Sequence, residues 1–381
     1  MSFESLIGVF EREIETQRLP GAVLWVARGE RPLLCRALGR LDPQGVAPMS
    51  EDAIFRIYSM TKPVTSVALL MLLEEGRVRL DEPVATYLPD YAHLNVGSEE
   101  GSGAGRRLVM RRARHAMTIR DLLRHTAGLT YGYFERSLVK DEYIRSGVES
   151  RRLSNRQFAA ALAKLPLAYE PGTTWEYSRA TDLLGALIEE LCATTLGAFL
   201  QERIFGPLGM VDTAFWVPPG KQHRVAEPYR LDPDTGEPVR LIDVREAPVF
   251  ESGGGGLVST VADYARFQSM LRGEGRFGAT QILEASTVGL MTRDHLEGIA
   301  RGPMYLPGPD YGFGLGVAVR LASSGTGAPG EYFWGGLAGT FQWVDPRHDL
   351  TAILMVQAPN QREALRALFY EHVYAGLRSA A

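Results

Sequence analysis

Residues 64–73 form an apolar run directly after a proline, and this run constrains the fold more than any other segment. Its large apolar side chains are Val64, Val67, Leu69, Leu70, Met71, Leu72 and Leu73. A helix that is apolar on every face has no side suited to water, so it must be buried. Gly76 suits its C-terminal cap, and Pro63 is tolerated only in its first turn. The helix therefore begins near Ser59 or Met60, inside a chain of 381 residues that can bury a substantial core.

Lys62 lies three residues after Ser59, in a chain that uses arginine for nearly all its positive charges. Only four of its 41 basic residues are lysines. A buried lysine amine can release its proton near neutral pH, whereas a guanidinium cannot. Ser59 and Lys62 lie one turn apart on the same helix face, and the positive end of the helix points at any oxyanion formed there. The pair indicates a serine nucleophile beside its base, the alternative being that Ser59 only caps the helix.

The same spacing recurs at Ser137 and Lys140. Their neighbours Glu135, Arg136, Asp141 and Glu142 indicate a solvated stretch, which would not favour a neutral lysine. We therefore predict no catalytic role for this second pair. His125, at the end of a predicted helix, is expected to be structural because a serine and a lysine already supply nucleophile and base.

The composition excludes several classes of function. A net charge of −4 and a pI near 6.0 give no overall attraction to nucleic acid or acidic membranes. Acidic and basic residues interrupt the apolar positions of the first helix, so no signal sequence is predicted. Cys35 and Cys192 lie in apolar segments and are expected to be reduced thiols, which favours a cytoplasmic location. No carboxylates with histidines at ligand spacing and no phosphate-binding loop occur, so neither a metal nor a cofactor is predicted.

The order of predicted elements indicates an α+β fold. Residues 22–27 and 33–38 form a predicted hairpin, and residues 97–107 form a predicted exposed loop or insertion. Helices are predicted over 118–125, 154–165, 180–193, 260–272 and 361–377, and strands over 311–321, 331–334, 339–345 and 350–357. Strands at both ends predict one antiparallel sheet built from both termini and flanked by helices. We expect a sheet domain of residues 1–80 and 226–381, an inserted helical domain of residues 81–225, and the active site between them.

Tyr177 is the predicted proton shuttle. It follows a Pro-Gly turn and comes just before the helix that starts near Ala180. A tyrosine beside a cationic lysine has a lowered pKa and can exchange a proton with both the serine and the leaving group. An ordinary packed aromatic is the alternative for this residue taken alone.

Taken together, these stretches resemble the serine β-lactamase-like superfamily, which includes the penicillin-binding DD-peptidases, and most closely its family VIII carboxylesterases. The resemblance covers nearly the whole chain. It rests on Ser59 to Lys62, on Tyr177, on the triplet Trp334, Gly335 and Gly336, and on the glycine run of residues 253–256. The glycine run is expected to let backbone approach the wall of the site.

Two departures from the β-lactamase pattern indicate the substrate. Arg179 replaces an asparagine that contacts the amide side chain of the substrate, and Trp334 replaces a lysine that helps to bind its carboxylate. Loss of that lysine removes a charge-assisted partner for an anionic substrate. The resemblance therefore implies a small-molecule, uncharged ester as the substrate, although Arg179 offers another cation.

By this resemblance Ser59 attacks the ester carbonyl, and Lys62 accepts its proton directly or through Tyr177. Which of the two is the base stays open, because a coupled pair titrates jointly. The resemblance implies an oxyanion hole formed by the backbone N–H groups of Ser59 and Leu337. The expected lining residues are aromatic: Tyr133, Phe134, Phe250, Trp334 and Phe341.

Three other functions are compatible with the sequence. A penicillin-recognising enzyme, either lactamase or DD-peptidase, and an acyltransferase would use the same serine, lysine and tyrosine. A catalytically silent binding protein is the third. Neither a nucleic acid nor a membrane is an expected partner, and the sequence predicts no oligomeric state.

Overall fold

A computed structural model describes residues 3–378 of the chain. The helices are α1 Glu4–Glu15, α2 Thr61–Glu74, α3 Ile119–Leu123, α4 Leu138–Ser146, α5 Asn155–Leu162, α6 Ala180–Cys192, α7 Leu196–Leu200, α8 Gly206–Leu208, α9 Val261–Arg272, α10 Ala285–Met291 and α11 Arg362–Arg378. The strands are β1 Gly21–Arg28, β2 Arg31–Gly39, β3 Phe55–Arg56, β4 Asn95–Glu100, β5 Arg107–Arg112, β6 Thr174–Trp175, β7 Val258–Ser259, β8 Arg276–Phe277, β9 Thr280–Gln281, β10 Ala300–Arg301, β11 Tyr311–Phe313, β12 Ala318–Arg320, β13 Tyr332–Gly335, β14 Phe341–Asp345 and β15 Leu350–Val356.

A seven-stranded antiparallel sheet joins the two ends of the chain, in the order β11-β12-β13-β14-β15-β1-β2. The N-terminal strand β1 pairs along its length with the last strand β15, from Ala22 opposite Val356 to Arg28 opposite Leu350. Both the predicted hairpin and the predicted assembly from both termini are confirmed. The α+β prediction, an antiparallel sheet flanked by helices, is therefore correct.

Helices cover both faces of this sheet because β15 carries apolar side chains on both. Leu350, Leu354 and Val356 pack on one face with residues of α1 and α11. Ile353 and Met355 face the opposite way, into the larger core that contains α2, α6 and α9. Alternate residues of a strand point to opposite faces, so a strand that is apolar throughout must be buried on both.

The predicted buried helix is α2, and all its residues from Thr61 to Leu72 are buried. A single 3₁₀ turn over Tyr58–Met60 precedes it, so Ser59 lies at the predicted start of the helical segment. Pro63 is the third residue of α2, where its missing N–H leaves no hydrogen bond unmade. Local sequence alone was sufficient to locate this helix.

Three sequence predictions need correction or stay open. The segment 97–107 is not a plain loop, because β4 and β5 pair from Asn95 opposite Arg112 to Glu100 opposite Arg107. The predicted strand over 311–321 is divided into β11 and β12, which pair with each other. The division into a sheet domain and a helical domain stays a prediction.

Within residues 3–378 no single helix is long and apolar enough to span a membrane. Taken together, α6 and the segment Leu196–Leu208 have the required length and apolar composition, but they are bent by 80° relative to each other.

Candidate active site

Ser59 lies between β3 and α2, beside a strained backbone position. Tyr58 has a φ of 44°, in the left-handed region that residues other than glycine rarely adopt. Neighbouring segments hold this conformation: the Tyr58 hydroxyl accepts a hydrogen bond from the Ile242 N–H at 2.9 Å, and the Ile57 N–H donates to the Leu257 carbonyl at 3.1 Å. Strain of this kind persists only where the surroundings fix it, and here it presents Ser59 to a cavity.

The three residues predicted to be catalytic come together at this point. Lys62 Nζ lies 3.2 Å from Ser59 Oγ, and the Tyr177 hydroxyl lies 2.6 Å from the same oxygen. Lys62 Nζ also lies 4.6 Å from the centroid of the Tyr177 ring. Tyr177 is 118 residues from Ser59 in the sequence, so the fold and not local structure creates the constellation. Geometrically this is a nucleophile with two groups able to move its proton.

Lys62 has three hydrogen-bond acceptors around its buried amine. Besides Ser59 Oγ, they are the Gly254 carbonyl at 2.6 Å and the Tyr131 hydroxyl at 3.2 Å. An ammonium can donate to all three. A neutral amine can donate to Gly254 and Tyr131 and turn its lone pair to the Ser59 hydroxyl. The surroundings therefore suit both protonation states, as a group that takes and returns a proton requires.

Tyr131 is a site residue that the sequence reasoning missed. Burial raises the pKa of its hydroxyl well above the ordinary range, and the nearby Tyr133 and Tyr177 act in the same direction. The Tyr131 ring packs 5.3 Å from the Tyr177 ring, centroid to centroid. It thus holds Tyr177 from the side while contacting Lys62. No local signal marks it, since it is one aromatic in a loop.

Asp182 binds the backbone N–H of Gly254, the residue whose carbonyl binds Lys62. Its buried carboxylate accepts hydrogen bonds from the Gly254 N–H at 2.9 Å and from the Ser252 hydroxyl at 2.5 Å. Burial acts to raise the pKa of Asp182, but Arg179, Lys62 and these hydrogen bonds together hold it below its ordinary value. A fixed carboxylate thus orients the glycine whose carbonyl binds Lys62. The sequence offered no signal for this role, because Asp182 lies inside a predicted helix.

Arg179, predicted to contact substrate, lines the cavity but is already paired. Its guanidinium lies 3.2 Å from the Asp182 carboxylate and 3.6 Å from that of Glu149. It also lies 4.8 Å from the centroid of the Tyr131 ring. Arg179 therefore shares its single positive charge between two protein carboxylates, and this charge is not free for an anionic substrate.

The third motif lies at the end of β13, against the segment that leads to Ser59. A Cβ added to Gly336 would lie 2.3 Å from the Ile57 carbonyl oxygen, so only glycine allows this approach. The Thr340 hydroxyl donates to the same carbonyl at 3.2 Å. Leu337 follows directly, is 40% exposed, and lines the same cavity as Ser59. The predicted oxyanion donors, the N–H groups of Ser59 and Leu337, therefore lie on two chain segments that contact each other at the Ile57 carbonyl.

The cavity at Ser59 has a volume of about 1070 Å³. Of the aromatic residues predicted to line it, four do so: Tyr133, Phe134, Trp334 and Phe341. The prediction for Phe250 was wrong. Phe250 is 2% exposed and packs in the core, with its ring centroid 4.8 Å from that of Phe158. An aromatic residue near a glycine-rich segment is as suited to the core as to a cavity, and burial of apolar area favours the core.

The second serine–lysine pair has a different geometry. Ser137 caps the N-terminus of α4, where its hydroxyl accepts from the Lys140 backbone N–H at 3.1 Å. The expected solvation of Lys140 was wrong, because Lys140 is 6% exposed and pairs with the Glu176 carboxylate at 3.0 Å. The Lys140 amine contacts the buried Glu176 carboxylate, while the Ser137 hydroxyl is used as a helix cap. The pair therefore lacks the geometry of a nucleophile and base.

His125 is buried beside the site and packs against the ring of Tyr177. Its Nδ1 lies 3.2 Å from the Ser178 hydroxyl, and its ring packs on Trp175, Tyr177 and Phe313. Burial holds the pKa of His125 well below its ordinary value, and the nearby Lys62 acts in the same direction. His125 therefore packs as a neutral ring behind Tyr177, as expected from the sequence.

Two further observations bear on cofactors and thiols. Within residues 3–378 no group of three or more histidine, cysteine or acidic side chains is arranged to hold a metal ion. Cys35 and Cys192 are free thiols, and burial raises the pKa of Cys35 to about 12.

Comparison with known proteins places these features in a family. The beta-lactamase family profile matches residues 6–375. Protein Rv1367c of Mycobacterium tuberculosis is 35% identical over 358 residues, covering 89% of this chain and 86% of that protein. Esterase EstB of Burkholderia gladioli is 33% identical over 381 aligned positions, covering 92% of this chain and 89% of EstB. The solved structure of EstCE1, described as a hydrolase with promiscuous acyltransferase activity, superposes with a TM-score of 0.81 at 26% identity and covers 97% of each chain.

Proposed function

This chain belongs to the beta-lactamase family, close to the family VIII esterases, and we propose that it hydrolyses uncharged carboxylic esters through an acyl-enzyme on Ser59. One observation carries the proposal: Ser59 Oγ lies within hydrogen-bonding distance of both Lys62 Nζ and the Tyr177 hydroxyl, at the wall of a cavity lined by aromatic and charged side chains. An esterase and a hydrolase among its relatives agree with this chemistry.

In the acylation step, Ser59 Oγ attacks the ester carbonyl carbon as its proton passes to neutral Lys62, directly or through Tyr177. The negative charge that develops on the carbonyl oxygen is stabilised by the N–H groups of Ser59 and Leu337. When the C–O bond to the alcohol breaks, Tyr177 protonates the departing oxygen and regains a proton from Lys62. The products of this step are the free alcohol and an ester on Ser59.

In the deacylation step, water attacks the acyl carbon, and the same two residues take its proton. Ser59 Oγ leaves and recovers a proton from Lys62 or Tyr177, which releases the carboxylic acid. The three acceptors around Lys62 allow the amine to cycle between neutral and charged forms without moving. Such preorganisation lowers the cost of each proton transfer.

The two positions that the family pattern assigns to substrate recognition, Trp334 and Arg179, favour an uncharged acyl donor. Trp334 stands where a cation would bind a substrate carboxylate, and its ring packs 5.5 Å from that of Tyr177. Arg179 is paired with Asp182 and Glu149. A carboxylate bound against the Trp334 ring would lose hydration without gaining a charged partner from this residue, which is unfavourable.

We predict that a short p-nitrophenyl ester is hydrolysed with a kcat/KM at least about 100-fold above that for a chromogenic cephalosporin, which corresponds to about 2.7 kcal/mol of transition-state stabilisation. Spectrophotometric assays of both substrates under one set of conditions measure the ratio. A Ser59→Ala variant serves as the blank for hydrolysis that does not involve the site. Faster turnover of the cephalosporin would overturn the ester assignment in favour of penicillin recognition.

Two observations support second candidates. The cavity, at about 1070 Å³, exceeds the needs of a short ester and can hold a bulky acceptor alcohol, which favours acyl transfer. Product analysis with added alcohol in the same ester assay distinguishes transfer from hydrolysis.

Arg151 lines the cavity, and its guanidinium has no ion pair among the described residues, which favours recognition of a carboxylate. The cephalosporin arm of the comparison tests that second candidate.

A further inference from the structure

Arg366 of α11 is bound to the third motif from the face of the sheet opposite α2. Its Nη2 donates hydrogen bonds to the Gly336 carbonyl and, at 3.2 Å, to the Thr340 carbonyl. The side chain is 18% exposed and lies 5.7 Å from the centroid of the Phe341 ring. Arg366 also forms an ion pair with Glu363 at 3.5 Å. This pair is weak because the Glu363 side chain is 75% exposed. The two backbone carbonyls are thus its buried partners.

The adjoining backbone is shaped to admit this guanidinium. A Cβ added to Gly335 would lie 2.7 Å from Arg366 Cζ, so a side chain there would displace the arginine. The Gly336 carbonyl also accepts a hydrogen bond from the Gly339 N–H at 3.1 Å, across a turn in which Gly339 has a φ of 102°. Both lone pairs of this carbonyl are therefore used, one by the turn and one by Arg366.

The carbonyl that Arg366 binds belongs to the same peptide unit as the Leu337 N–H. This peptide is trans, so its C=O and N–H point in opposite directions. With the guanidinium on the carbonyl side, the Leu337 N–H points away from Arg366. The Ile57 carbonyl contacts Gly336, and both Leu337 and Arg366 line the cavity that contains Ser59.

We propose that Arg366 is a positioning residue of the oxyanion hole, which orients and polarises the Gly336–Leu337 peptide so that the Leu337 N–H binds the oxyanion more strongly. This inference rests on the proposed acyl-transfer function. A charged donor on the carbonyl withdraws electron density along the peptide and strengthens its N–H as a donor. A fixed peptide plane also removes reorganisation at the moment when the charge develops. Arg366 lines the same cavity, but its hydrogen bonds go to backbone carbonyls, so we assign its effect on the reaction to the Leu337 peptide.

The hydrogen bonds from Arg366 to two backbone carbonyls compensate for the partial burial of its charge in the wall of the cavity. Burial lowers the pKa of Arg366 to about 10, while Glu363 acts in the opposite direction, so the guanidinium stays charged at neutral pH. Tyr177 interacts favourably with the same charge.

The test compares Arg366→Met and Arg366→Lys with the wild type in hydrolysis of a p-nitrophenyl ester and in binding of a trifluoromethyl ketone, which forms a tetrahedral adduct. For Arg366→Met we expect kcat to fall by about 10- to 100-fold, KM to change by less than about twofold, and ketone affinity to fall as kcat does. Arg366→Lys keeps the charge but lacks the planar fork, and we expect it to recover part of the loss.

Arg272→Met is the matched control. Arg272 is 15% exposed and binds the exposed Asp349 at 2.6 Å, away from the cavity. Its kcat should stay within about twofold of the wild type if loss of a half-buried arginine has no general effect. If Arg366→Met does not fold, Arg366→Lys carries the same comparison, with an expected loss in kcat of about threefold or more. An unchanged kcat, or equal losses in substrate and ketone affinity, would overturn the role of Arg366. A wild type that reacts with no ester would contradict the proposed function instead.

Discussion

Replacing Lys62 with arginine is expected to lower kcat/KM for a p-nitrophenyl ester by about 1000-fold or more, while the protein stays folded. Arginine keeps the positive charge but cannot release its proton near neutral pH, so it cannot serve as a base. Lys62→Met, which fits the buried space without a charge, is expected to be equally inactive. Steady-state kinetics of both variants, with circular dichroism to verify folding, measure the effect.

Lys140→Arg is the matched control for this prediction. Lys140 is also buried and also lies three residues after a serine, but its amine binds Glu176. We expect its kcat/KM to stay within a few-fold of the wild type. An active Lys62→Arg beside an inactive Lys62→Met would show that Lys62 supplies only charge, and would contradict its role as a base.

Replacing Tyr177 with phenylalanine is expected to lower kcat/KM by about 100- to 10,000-fold. The substitution removes the hydroxyl that lies 2.6 Å from Ser59 Oγ and leaves the ring to pack against Trp175 and Trp334. If Tyr177 protonates the leaving group, the loss should be larger for an alkyl ester than for a p-nitrophenyl ester, because p-nitrophenolate departs without a proton. Rates for a series of esters with different leaving groups measure this difference.

Tyr264→Phe is the control for loss of a buried tyrosine hydroxyl at this end of α2. The Tyr264 hydroxyl donates to the Met60 carbonyl at 2.9 Å, one residue after Ser59, but contacts no reacting atom. We expect a loss of about 1 kcal/mol in the free energy of unfolding and little change in kcat.

The outcome that would contradict the role of Tyr177 as general acid is an equal loss of kcat/KM for alkyl and p-nitrophenyl esters in Tyr177→Phe.

The parts of the fold that the sequence predicted are those that local physics decides. Pro63 and the apolar run after it located α2, because a proline fits only a first turn and an all-apolar helix only a core. The sheet followed from apolar strands at both ends of the chain. Burial of single residues was harder to predict, as Lys140 shows. The acidic neighbours of Lys140 on α4 point to other faces of the helix, so local composition does not decide which face is buried.

The parts of the site that the sequence did not predict depend on contacts between distant segments. Tyr131 reaches Lys62 from a loop 69 residues later, and Arg366 reaches Gly336 from a helix 30 residues later. Nothing in their local sequence separates them from an ordinary aromatic or an ordinary helical arginine. Phe250 shows the converse: its aromatic type suggested the cavity, but its side chain packs in the core. Residue type alone does not tell which way a side chain points.

The most direct test of the account is to identify the residue that carries the acyl group. A p-nitrophenyl alkylphosphonate, which reacts with activated serines, is incubated with the protein, and the modified peptide is mapped by mass spectrometry. We predict a single adduct on Ser59, with labelling slowed strongly in Lys62→Met and absent in Ser59→Ala. Ser137, which lies in the second serine–lysine pair, should stay unmodified. An adduct on any residue other than Ser59, or undiminished labelling in Ser59→Ala, would contradict the assignment of Ser59 as the nucleophile.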